Sequence, residues 1–288
     1  MPFSGKSELI KLGVNPELLA YVERIEEIVA YDIPQERAAP FQRLMQLVSS
    51  RQLESLAVWR GHHLNAKRRW FFGCYAGISV HVRGALAAAH YHADRLREID
   101  ERVQAILADP HAKEVFAGAN FGLGYPRKLD SEYHAFIFAC RRCLDYLTAS
   151  LACSFLREAD SFRTFPKSIA NVKSTPEIAA ALTEAHARHI HELDFILAQG
   201  RKSVRNRIAH WEFVSTGSMN LTADGFFLVG GPENLNWPPR VENPRSDKLN
   251  DAIAGRLESL HACVGDMIDT FVNSVETLQP KESEQAAN

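Results

Sequence analysis

Arginine and histidine side chains close the hexapeptide Arg205-Asn206-Arg207-Ile208-Ala209-His210, inside an acid-free run from Phe195 to Trp211. Histidine exchanges a proton near neutral pH, so His210 can take the 2′-hydroxyl proton of a ribonucleotide or donate one to a leaving oxygen. Arginine stays charged, and Arg205 can bind two phosphate oxygens as negative charge builds in a transition state. Both roles need RNA, because DNA lacks the 2′-hydroxyl nucleophile. Arg201, Lys202 and Arg207 add positive charge beside the pair, with no carboxylate between Asp194 and Glu212. They are the candidate RNA-binding residues.

Spacing alone carries little in a chain with twelve histidines. Arg83 with His90, Arg127 with His134 and Arg256 with His261 satisfy the same loose arginine-to-histidine pattern and are treated as decoys. Asn206 directly after the arginine, the Ile208-Ala209 pair before the histidine and a long helical run leading in set the hexapeptide apart. It resembles the R-N-x-x-x-H signature of HEPN-type ribonucleases. A weaker likeness lies in Phe136 to Ala149, which is similar to the helix preceding the motif helix in that family; together they cover about residues 130 to 215.

The resemblance implies an all-α four-helix bundle that dimerises and cuts RNA without metal or other cofactor, leaving a 2′,3′-cyclic phosphate. Arg205, His210 and Asn206 would be the catalytic set, with Asn206 orienting the histidine or the adjacent backbone. A bacterial toxin or defence role, with an antitoxin or other protein partner, follows by analogy. Two alternatives are a HEPN-like module that binds RNA or protein without cutting, and an unrelated helical interaction protein. Five residues of helix advance about 140° around and about 7.5 Å along the axis. Arg205 and His210 therefore do not share a face, and a two-fold dimer would bring both types together. Burial of His210 in the core would exclude both HEPN readings. Glu212 stands where a tyrosine sits in relatives silenced by modification, so that form of control is not expected.

The elements that must position the motif read as helices. Apolar residues recur at alternating three and four spacings in four long runs. The first goes from Tyr75 to Ile106 and stops at Pro110; the second from Phe136 to Phe155; the third from Ile178 to Leu197, opened by Thr175-Pro176; the fourth from Ile253 to Leu278. Residues 1–66 read as an accessory helical arm, with helices near Pro16 to Ala30 and Gln35 to Trp59. Residues 67–279 form the bundle, Gly118 to Asp130 a loop within it, and 280–288 a disordered tail. Around Asp224-Gly225, short alternating runs predict a β-hairpin within about 213–239, just after the motif.

Other constellations carry less. The five cysteines are an odd count on apolar stretches, as expected of reduced, packed thiols, and Cys140-x-x-Cys143 lacks a partner pair for zinc. His186, His189 and His191 fit no defined metal motif; His189 is placed on the apolar stripe and the other two beside it. Arg141 and Asp145 form an i to i+4 salt-bridge pair, although Arg141, Arg142 and Asp145 could reach the cleft. Trp70-Phe71-Phe72 reads as a buried helix anchor. A net charge of −2 exerts no global pull on nucleic acid. No leader or membrane-length apolar run is evident, and a cytoplasmic protein is expected.

Overall fold

In the computed structural model, the described residues are 15–29, 31–49, 70–115, 117, 121–123, 126–173, 175–198, 203–210, 213–214, 218–222, 225–229 and 249–277. The chain divides into units 1–32 and 33–288. The first contains α1 (Pro16–Val29), whose Glu17 amide is capped by the Asn15 side chain at 2.8 Å.

The second unit is predominantly helical. A 3₁₀ turn, Gln35–Arg37, leads into α2 (Ala39–Ser49). Two π-helical segments, Trp70–Tyr75 and Gly77–Val82, run into α3 (Arg83–Leu107), and α4 (Pro110–Val115) follows. Strand β1 (Phe121–Leu123) precedes α5 (Arg127–Cys153). Then come α6 (Phe165–Ser168), α7 (Pro176–His189), α8 (Asp194–Leu197) and α9 (Val204–His210). Strands β2 (Ser218–Thr222) and β3 (Gly225–Val229) precede α10 (Leu249–Thr277).

The heptad-like spacing of the second and fourth runs maps directly onto the core. Phe136, Cys140, Cys143, Leu147 and Leu151 of α5 are fully buried, as are Leu260, Met267, Phe271 and Val275 of α10. α3 pairs with α5, and α10 packs on α2, α3, α5 and α7. Thus α2, placed by its sequence in the N-terminal arm, instead joins the larger unit, and Arg43 pairs with Asp269 of α10 at 2.8 Å. Close backbone approach fixes the π-helical lead-in: a Cβ on Gly73 would stand 2.7 Å from the Cys153 sulfur, and one on Gly77 2.3 Å from Ser150 Oγ.

Three sequence expectations change. Within the expected 118–130 loop, Phe121–Leu123 is a strand that pairs antiparallel with β2, which pairs antiparallel with β3. α5 also begins at Arg127, inside that loop. The third run is not one helix: α7 ends at His189, turns follow, and the motif sits on its own short helix. Phe72 is 67% exposed, so it is not a buried anchor. Of the β segment expected within 213–239, residues 215–217, 223–224 and 230–239 lie outside the described residues, as does the 280–288 tail. Among the described residues, no helix is long and apolar enough to cross a membrane.

Candidate functional site

Ser203 starts α9. Its Oγ receives the Asn206 amide at 3.3 Å and donates to the Ile196 carbonyl at 2.8 Å, which ties the new helix to α8. This is an N-cap, and it explains why a helix restarts here after the break behind α8. Val204 is buried, Ile208 packs against the core, and Ala209 and His210 are exposed.

Arg205 is half-buried and leans towards α5. Its guanidinium donates to Asn206 Oδ1 at 2.9 Å, while its Nε is buried with no hydrogen-bond partner among the described residues. Asn206 thus accepts a hydrogen bond that orients the arginine. Asp145 of α5 lies within electrostatic reach: burial pushes its carboxyl above the usual range, opposed by Arg141, the Phe162 amide and the charge of Arg205. Arg141 Nε donates to Asp145 Oδ2 at 2.8 Å and its other arm to Ser161 Oγ at 3.1 Å. The i to i+4 salt bridge exists as expected. Asp145 Oδ1 is buried without a side-chain hydrogen-bond partner among the described residues.

Beyond α9 the chain is anchored by a decoy. The His134 ring nitrogen Nε2 donates to the Val214 carbonyl at 2.6 Å, and its ring meets Phe213 edge-on at 5.2 Å. Val214 is buried, so the segment after His210 is fastened to α5 from the start. Nothing in the arginine-to-histidine spacing signals that role. Ser203, three residues before Asn206, was the available signal for the helix start.

Arg207 is half-buried on α9. Arg201, Lys202 and Glu212 lie outside the described residues. On α9, Arg205 is half-buried and His210 exposed. The other sequence candidates resolve into packing. His186 is buried, hydrogen-bonded to the Phe162 carbonyl at 2.8 Å, and desolvation lowers its pKa. His189 is the more exposed of the two and pairs with Asp266 at 2.7 Å, which reverses their expected placement. His186 falls one turn after Leu182, on the side of α7 that faces the Phe162 turn. Cys74, Cys140, Cys143 and Cys263 are buried, and desolvation pushes the Cys74, Cys143 and Cys263 thiols up. No group of three or more metal-ligating side chains occurs among the described residues.

No family model, curated protein or solved structure matches this chain.

Proposed function

We propose that this protein is a metal-independent endoribonuclease of HEPN type, built on a four-helix bundle and active as a homodimer. The observation that carries the reading is an exposed His210 on the same short helix as an Arg205 pre-oriented by Asn206. In the reaction, one histidine removes the proton of a ribose 2′-hydroxyl, whose oxygen attacks the adjacent phosphorus. The bond from phosphorus to the 5′ oxygen breaks, and that oxygen receives a proton. The products are a 2′,3′-cyclic phosphate and a 5′-hydroxyl end. Arg205 holds the phosphate oxygens, and its orientation in advance reduces the cost of ordering it during the reaction. Arg201, Lys202 and Arg207 would bind the flanking phosphates. A toxin or defence role, balanced by an antitoxin, is the biological setting this chemistry suits.

A second reading has one observation in its favour. The half-burial of Arg205, whose charge acts on Asp145 of α5, would also suit an arginine that helps fasten α9 in a non-catalytic RNA- or protein-binding module. Cleavage of a mixed RNA pool by purified protein in chelator separates them. Wild type is expected to cut, and His210→Ala and Arg205→Ala to lose about a hundredfold or more at unchanged fold and oligomeric state. Equal activity, or equal inertness, in all three proteins sinks the enzyme reading.

A further inference from the structure

A groove of about 420 Å³ opens between the start of α3 and α5, one face round α5 from the motif arginine. Its volume lies within the roughly 300–1,000 Å³ of small-ligand sites. The chemistry at its rim is aromatic and cationic. The His81 and Tyr146 rings are 5.5 Å apart at 48°, and the Arg142 guanidinium lies 5.6 Å from the Tyr146 ring centre and donates to its hydroxyl at 3.0 Å. At the other end, His92 is fixed by Glu132 of α5 at 2.8 Å.

The floor includes Gly84, and this glycine differs from Gly73 and Gly77 before it. Those two are required by contact with Cys153 and Ser150, whereas a Cβ on Gly84 would meet nothing within 4 Å. A helical glycine costs backbone entropy on folding, and here the packing of the chain does not demand it. The space above it is left open between flat rings and a guanidinium. The lead-in that carries His81 is π-helical, a distortion frequent at functional sites.

We propose that this groove binds an unstacked nucleobase of single-stranded RNA, with the base against Tyr146 and His81 and the adjoining phosphate at Arg142. The inference rests on the ribonuclease reading for its choice of ligand. Unpaired bases stack on aromatic rings and guanidinium planes, and the ring-plus-cation pattern fits a base with its phosphate. Asp145, whose carboxyl feels the charge of Arg205, lies within the turn of α5 that carries Arg142 and Tyr146. The groove would select the base that a bound strand places there.

The test is fluorescence-anisotropy binding of a labelled 2′-O-methyl RNA octanucleotide, which cannot be cleaved, to the full chain. Gly84→Leu fills the groove with a good helix former, and Tyr146→Ala removes the stacking ring; each should weaken binding about tenfold. Tyr146→Phe keeps the ring and should bind as wild type, provided thermal melts and oligomeric state are unchanged. Wild-type affinity in both Gly84→Leu and Tyr146→Ala, or no binding by wild type, overturns the proposal. If binding depends on the groove but His210→Ala leaves cleavage unaltered, the enzyme reading fails and the groove stands. If cleavage depends on His210 while binding ignores the groove, only the groove fails.

Discussion

The end of α9 and the seam between α3 and α10 both hold histidines that follow an arginine at similar spacing, yet their surroundings are opposite. At the seam, His90 and His261 are buried with Nε2 facing Nε2 in a short hydrogen bond and ring centres 4.6 Å apart. Burial first, then the His90 ring and Arg37, lower the His261 pKa to about 4; Glu258 opposes them. Burial also leads the lowering at His90, where Asp94 and Glu36 oppose and Arg37 and Arg97 assist. Two buried imidazoles that share one hydrogen bond are held neutral. The Arg256 guanidinium lies over the Phe195 ring, 3.9 Å from its centre. At α9, by contrast, His210 reaches solvent and Arg205 is directed by its neighbour. The spacing is common to both regions; the helix face decides whether a histidine meets solvent or another helix.

The largest effect should come from exchanging the regions in mutagenesis. His210→Ala is expected to reduce RNA cleavage by about two orders of magnitude or more with an unchanged melting temperature. His261→Ala should do the reverse, lowering the melting temperature while a folded sample cuts normally. A folded His261→Ala protein without activity would break the distinction.

Acid should act on the seam next. A histidine whose folded pKa is below its unfolded value contributes stability above about pH 6.5, and that contribution is lost as pH falls towards the folded value near 4. Urea unfolding at stepped pH should show a loss on the order of 1–3 kcal/mol across this window. A His90→Gln, His261→Gln double variant should flatten that part of the curve, and an unaltered slope would refute the assignment.

Smaller still is the cap that makes α9 a separate helix. Ser203→Ala should cost about 1–2 kcal/mol in urea unfolding, since it removes the cap and the donor to Ile196. The exposed Arg188–Asp266 bridge, at 2.8 Å, sets the floor of the series. Arg188→Ala should shift stability by less than about 1 kcal/mol.

By itself, the sequence determined the helical class and most of the core. An apolar residue at every third or fourth place has one buried side whatever it packs against, so most of the α5 and α10 stripes was legible. It also marked the residues whose chemistry suits RNA, because charge and proton exchange belong to side chains before any fold exists. The first run shows the limit of a stripe: Ile106 continues its spacing but is 68% exposed, while neighbouring Leu107 is buried. Local pattern did not reveal that β1 joins the sheet, that α2 packs on α10, or that α7 and α9 are separate helices. Those depend on partners remote in sequence or on a single serine. Tertiary structure alone decided that His90 meets His261, that Gly77 lies against Ser150 and that Gly84 borders a groove. Each is a matter of which surfaces come within a few ångströms, and short-range spacing does not encode that distance.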